Sequence, residues 1–131
     1  MRRLVGLLAV LAFLAPAPAR ADETVTIEAA RLVPQTLSTT TGARVTFVNR
    51  SGRKVHVEFH RNGGEHHLVQ VPAGGPIWAI FHRPGAHPYV VHVYGARTET
   101  LNGSVEVAED PHHKWEAPSC VATVMGECIE P

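Results

Sequence analysis

The sequence is poor in cysteine and carries no excess of basic residues. It has two cysteines among 131 residues, and both lie near its C-terminal end. After residue 21 it contains nine Lys and Arg against twelve Asp and Glu, a net charge of about −3 with neutral His. This charge excludes a basic surface for nucleic acid or for an anionic membrane.

Catalytic motifs and helical periodicity are also missing. The chain has no nucleophile with a base at a recognisable spacing, no Gly-rich phosphate loop and no amphipathic helical run of useful length. Glu58 lies between His56 and His60, but zinc proteases use a His-Glu-x-x-His pattern on a helix, and the pattern around Glu58 is that of a strand. We therefore expect that the protein is not an enzyme.

The first 21 residues have the features of a secretory signal peptide. Arg2-Arg3 precedes an apolar run over 4–15, and residues 19–21 form a small-residue cleavage pattern. The run is too short to span a membrane. We expect export across the inner membrane to the periplasm, which leaves a mature chain of 110 residues, enough for one domain and without a membrane span.

Short runs with the patterns of β-strands fill residues 22–108. They alternate polar with apolar residues or are rich in β-branched residues, and the clearest lie at 23–28, 44–48, 55–60, 89–94 and 104–107. Seven or eight such strands at close spacing predict an all-β fold, a Greek-key β-sandwich. The segment 111–118 has no strand pattern, so residues 109–131 are predicted to be an irregular C-terminal extension.

Two motifs in this region are similar to those of the cupredoxins, the blue copper proteins. Residues 42–49 read Gly-x-x-Val-x-Phe-x-Asn and are followed by His56, as in the strand that leads to the family's first ligand. Pro84-Gly85, the Tyr-rich run 89–94 and a Gly-x-Val-x-Val pattern from Gly103 then follow in the family's order. The resemblance implies a sandwich of cupredoxin type over about residues 25–107.

The same resemblance implies that three of the family's four copper ligands are replaced. Val91, Tyr94 and Leu101 take the positions of its Cys, second His and axial Met, while the first His is kept as His56. A blue site depends on a Cys thiolate bound to copper with two His. We therefore expect no blue-copper electron transfer.

Histidine is abundant, and all nine lie at or after His56. Such a set favours metal binding, although any single His can be an ordinary surface residue. With a side-chain period of two, His56, Glu58 and His60 share one face of their strand, and His92 lies on the matching face of a later strand. These strands are neighbours in the cupredoxin layout. The four residues are therefore our predicted site for copper, Cu(II) rather than Zn(II), with Glu58 as a ligand or as support for one.

Two other arrangements of the histidines remain open from the sequence. His56 could point inward at the end of the sandwich, with His87 or His82 as its partner. Alternatively, the histidines only form hydrogen bonds to loop carbonyls and no metal binds. The adjacent pairs need not chelate one ion, because neighbouring strand residues face opposite ways, and we expect each pair to donate one ligand or none; these residues are His66, His67, His112 and His113.

The two cysteines also allow two interpretations. An exported chain meets oxidising conditions, so a disulfide between Cys120 and Cys128 is the expected state. Alternatively, both cysteines and Met125 could be soft sulfur ligands for Cu(I).

Together these features predict an exported protein with a His-rich, non-blue copper site that serves copper storage, delivery or resistance. Its partners would be the metal ion and another exported copper or redox protein. The main alternative is a metal-free interaction or assembly module of a periplasmic redox system. A weaker alternative is a non-blue metalloenzyme with an open metal position.

Overall fold

The computed structural model describes residues 23–60, 66–113 and 120–130. All regular structure in these residues is β, as predicted. The predicted signal peptide, residues 1–21, lies outside them. Within the described part of the chain, no helix is long and apolar enough to cross a membrane.

Eleven strands lie in the described residues. In chain order they are β1 (Glu23–Ile27), β2 (Leu32–Val33), β3 (Thr36–Thr40), β4 (Arg44–Asn49), β5 (Val55–His60), β6 (His66–Val71), β7 (Ile77–Phe81), β8 (Gly85–Val93), β9 (Glu99–Ala108), β10 (Ala122–Val124) and β11 (Glu127–Ile129).

The strands form two sheets, which pack as the predicted β-sandwich. The first sheet has the order β11-β10-β7-β4-β1-β2 and the second the order β3-β9-β8-β5-β6. The described residues contain eleven strands, more than the predicted seven or eight. The difference arises because β2, β10 and β11 have two or three residues each, too few for alternation to be visible in the sequence.

The core lies between the sheets and is made by the alternation that the sequence displays. On β5 the side chains of Val55, Val57 and Phe59 are buried, and the residues between them face outward. On β8 the inward set begins at Tyr89 and continues at every second residue to Val93. Because successive side chains of a strand point to opposite faces, burial of the apolar sets places His56 and His60 of β5 and His92 of β8 on the outer face of the second sheet.

The C-terminal extension that was predicted to be irregular contains a β-hairpin, and this corrects the prediction. β10 and β11 are joined by Met125 and Gly126, both with positive φ, 49° and 84°, as a tight two-residue hairpin turn requires. β10 also pairs with β7, so the hairpin extends the first sheet. Its short strands are specified by the turn and by this pairing more than by their own sequence pattern.

The ring of Tyr89 fills the second sheet's inner face against a glycine. Tyr89 lies directly opposite Gly103 in the β8–β9 register, and a Cβ atom at Gly103 would overlap the end of its ring. The ring also packs edge-on against Phe47, with centroids 5.2 Å apart. Burial raises the pKa of the Tyr89 phenol, which stays protonated. The Gly-x-Val-x-Val pattern therefore has a packing role at its glycine.

Replacing Gly103 by alanine is expected to lower the free energy of unfolding by about 1–3 kcal/mol, because the added methyl group overpacks a rigid buried ring. Urea denaturation measures the change. Gly95→Ala is the matched control, since its Cβ would meet the flexible end of Arg53 instead of a core ring. Equal losses in the two variants would contradict the packing role of Gly103.

Candidate metal centre

The candidate centre lies on the outer face of the second sheet, where β5 and β8 pair. His56 is directly opposite His92, and Glu58 is opposite Val90. Directly opposed residues of antiparallel strands have Cβ atoms about 4.5–5.5 Å apart. The predicted common face of His56, Glu58 and His92 is confirmed, and the register adds that the two histidines are immediate neighbours.

Each of the two histidines has one ring nitrogen engaged by a neighbouring side chain. His92 Nε2 is 2.7 Å from Glu58 Oε2, so this nitrogen donates its hydrogen to the carboxylate. His56 Nδ1 is 3.0 Å from the Tyr94 hydroxyl, and the two rings meet edge-on. When Nδ1–H of His56 donates to the Tyr94 oxygen, the other ring nitrogen of each histidine carries a free lone pair. These nitrogens are His56 Nε2 and His92 Nδ1. These are the atoms that could coordinate a metal.

The electrostatic surroundings favour the neutral form of His56. Partial burial lowers the pKa of His56, and the positive charge of Lys54 and the proximity of His92 lower that pKa further. Imidazole must be neutral in order to ligate a metal, so a lowered pKa extends the ligating form to more acidic solutions. Lys54 itself lies over the Tyr94 ring, 5.8 Å from its centroid.

His60 lies apart from this pair. It follows His56 by four residues on β5, about 13 Å at roughly 3.3 Å per residue, and it pairs with His66 of the edge strand β6. Among the described residues, no group of three or more His, Cys, Asp or Glu is arranged to hold a metal ion. The structure therefore brings together three of the four predicted residues, with Glu58 bonded to a histidine.

The inward arrangement of His56 is not what the structure contains, because His56 lies on the outer face. His87 donates from Nε2 to the Arg83 carbonyl at 2.7 Å and packs on Phe81. His82 contacts the Thr123 hydroxyl at 2.8 Å through Nε2. His82 and His87 lie near the start of β8. His56 is far from them, because it pairs with His92 near the end of that strand.

The remaining secondary candidates are dispersed. The ring of His113 stacks on that of His82 with centroids 5.9 Å apart. His67 Nε2 is 3.5 Å from the Glu127 carboxylate of β11, a contact between the edges of the two sheets. His112 is exposed, and its backbone N–H donates to Asp110. His66 belongs to β6, but its side chain lies outside what the structure describes.

The predicted disulfide between Cys120 and Cys128 is present and closes the C-terminal hairpin. With both sulfurs bonded to each other, neither thiolate is available to Cu(I) in this state. The sulfur of Met125 accepts the backbone N–H of Trp78 at 3.3 Å, so Met125 is part of the hairpin's attachment to β7. The structure thus assigns these three residues to the hairpin and not to a soft metal site.

No protein-family model and no curated protein sequence matches the chain. Solved structures do. Amicyanin from Paracoccus versutus is 19% identical, with a TM-score of 0.56 over 71% of this chain and 86% of that chain. A purple cupredoxin from Nitrosopumilus maritimus is 18% identical, with a TM-score of 0.50 over 66% of this chain and 100% of that chain. The chain has a cupredoxin-like fold.

The structure describes the surroundings of three residues that the sequence resemblance aligns with ligands of the family. Val91 is fully buried and pairs with Leu101 on one side and Val57 on the other. Tyr94 and His56, which the sequence resemblance aligns with the family's second and first His, contact each other. Tyr94 was not among the predicted site residues. Its place in the family motif was the signal that it would lie beside His56.

Proposed function

We propose that the protein binds one Cu(II) ion between His56 and His92 and serves copper handling: storage, delivery or resistance. The observation that carries the proposal is the cross-strand pair itself, in which each imidazole is oriented by a second side chain. Metal-ligating histidines characteristically donate their other ring nitrogen to a carboxylate or a similar acceptor. Glu58 and Tyr94 would have that supporting role.

The chemistry of the donor set suits copper better than zinc. Nitrogen ligands bind Cu(II) more tightly than Zn(II) in the general order of divalent metal affinities. Among the proteins of similar fold, an amicyanin structure is described as a reduced Cu(I) form. By the sequence resemblance, His56 keeps the position of the family's first ligand and Tyr94 replaces its second His, so the second nitrogen ligand would come from His92.

Two protein ligands would leave coordination positions open. These open positions would lie on the outer face of a sheet, where water or a group of another exported protein could occupy them. The exposed fractions of the His92 and Glu58 side chains are 26% and 16%. A site open in this way favours exchange of the ion over permanent retention. We therefore favour delivery or buffering of copper over a fixed electron-transfer centre.

The test is titration of the purified, metal-free protein with Cu(II). We expect one equivalent to bind, with electron paramagnetic resonance showing coupling to imidazole nitrogen and with only weak visible absorption, since no thiolate reaches the site. Affinity should fall as the pH is lowered through about 6.5, where protons compete for the imidazoles. The contribution of His56 to the affinity should persist to lower pH than that of an ordinary histidine, because the pKa of His56 is lowered.

Binding no tighter than on the order of millimolar, or an affinity that is flat between pH 7 and pH 5, would overturn the copper proposal. An intense charge-transfer band would do the same, because it would mean that a cysteine binds the ion.

One observation favours the second candidate, a metal-free interaction or assembly module. Among the described residues, no group of three or more His, Cys, Asp or Glu is placed to hold a metal ion. Metal analysis of the protein purified from its native compartment distinguishes the two, since stoichiometric copper supports the first candidate and no metal supports the second.

A further inference from the structure

Basic side chains are concentrated at the end of the sandwich that carries the proposed copper site. Two loops lie there, 50–54 before β5 and 94–98 after β8, and neither contains an acidic residue. Their four cations are all exposed: Arg50, Arg53, Lys54 and Arg97. After residue 21 the whole chain has more acidic than basic residues, so the positive charge is a local property of these two basic loops.

The two basic loops are joined by direct contacts. The backbone N–H of Tyr94 donates to the carbonyl of Lys54 at 2.9 Å, and Lys54 Nζ lies 5.8 Å from the centroid of the Tyr94 ring. The guanidinium of Arg53 lies against Gly95, where an added Cβ atom would be 3.1 Å from its Nη1. Two of the cations are therefore held beside Tyr94, which contacts His56.

The charge of the basic loops reaches the proposed copper site. Partial burial lowers the pKa of His56 most, and the positive charge of Lys54 lowers it further. None of the four cations forms an ion pair with another described residue. The carboxylate of Glu58 is bonded to His92, and Glu99, directly after the second loop, offsets one of the four charges at most. The rim of the site therefore presents positive charge to the solvent.

We propose that the basic loops dock the acidic surface of an exported protein to which the copper ion is delivered. The inference rests on the proposed copper site, whose open coordination positions lie on the same outer face. Complementary charge raises the rate at which two proteins associate by roughly tenfold to a thousandfold and fixes their orientation. An acidic partner also brings oxygen ligands, which Cu(II) accepts together with nitrogen.

Delivery at this surface would be an exchange of ligands. The ion moves as Cu(II), so no electron is transferred, and its bonds to His56 and His92 break as bonds to the acceptor's own ligands form. The positive charges of Arg53 and Lys54 repel the ion and attract an acidic acceptor, and both effects favour release. We therefore expect the charge of an acceptor to control the rate at which it receives the ion.

The experiment measures Cu(II) transfer from the protein, loaded with one equivalent, to three synthetic acceptor peptides by stopped-flow absorbance. Each peptide begins with the copper-binding sequence Gly-Gly-His, followed by six glutamates, six serines or six lysines. At low salt we expect transfer to the glutamate peptide to be about tenfold or more faster than to the lysine peptide. At about 1 M salt, where the screening length is about 3 Å, this difference should largely disappear.

The double variant Arg53→Glu with Lys54→Glu should slow transfer to the glutamate peptide and accelerate transfer to the lysine peptide. Arg44→Glu is the matched control, because Arg44 is an exposed arginine at the start of β4, at the opposite end of the sandwich. It should leave both rates unchanged. If the double variant does not fold, Arg53→Gln with Lys54→Gln should shift both rates in the same directions by smaller amounts. Equal rates to all three peptides in the unaltered protein, or equal effects of Arg44→Glu, would overturn the proposal.

A second measurement separates this inference from the copper site. Metal-free protein is titrated with a hexaglutamate peptide that lacks Gly-Gly-His, and the backbone amides are followed by nuclear magnetic resonance. The amides of Arg53, Lys54, Gly95 and Arg97 should shift and that of Arg44 should not, and shifts confined to other regions would refute docking at the basic loops. An absence of copper binding in calorimetric titration would overturn the proposed copper site, and the peptide titration would still decide whether the basic loops dock an acidic surface.

Discussion

Replacing His92 by alanine is expected to weaken Cu(II) binding by about tenfold to hundredfold, the range seen when a metal ligand or its close support is lost. His92 is directly opposite His56, and no other described histidine is paired with His56. Removing one imidazole would leave His56 as the single nitrogen ligand at this position. Calorimetric titration at neutral pH measures the change.

His60→Ala is the matched control, because His60 lies on the same strand and the same face as His56 but about 13 Å farther along. It should leave Cu(II) affinity unchanged. A loss in His60→Ala as large as that in His92→Ala would show that the ion lies elsewhere. Glu58→Gln, which keeps the size of the side chain but not its charge, should give a smaller loss, since Glu58 acts through His92.

Removing the Cys120–Cys128 disulfide by a double serine substitution is expected to lower the free energy of unfolding by about 2–3 kcal/mol. The cysteines are 8 residues apart in sequence, and closing a loop of that size removes an entropy from the unfolded chain that corresponds to this range. Urea denaturation under non-reducing conditions measures the difference.

The reduced, unaltered protein is the control for this experiment. With dithiothreitol present throughout, its stability should match that of the double variant, because both then lack the cross-link. A large remaining difference would mean that the serine side chains themselves destabilise the hairpin, and a negligible initial difference would contradict the stabilising role of the disulfide.

The sequence permitted accurate prediction wherever a strand was long and strictly alternating. On β5 the inward set of Val55, Val57 and Phe59 could be recognised from period alone, and with it the outward direction of His56 and Glu58. The disulfide followed from the number and position of the cysteines. The sandwich followed from many short strands with turns between them.

The cross-strand register could not be obtained in the same way. His56 and His92 are opposite each other only because β5 and β8 pair with one particular offset, and a shift of two residues would keep both on the same face with different partners. The separation of His60 from the site has the same origin. The C-terminal hairpin was missed because its strands have three residues each and depend on pairing with β7.

The parallel pairing of β3 with β9 has a kinetic consequence. Thr36 is opposite Ser104 and Thr40 is opposite Ala108, so each contact of this pair joins residues far apart in the chain. The backbone of Thr41 continues the link by donating to the carbonyl of Ala108. Closing loops of this length is entropically unfavourable, and domains dominated by such contacts fold in milliseconds to seconds. We therefore expect the edge strand β3 to join the second sheet late in folding, because its partner β9 lies near the end of the sandwich sequence.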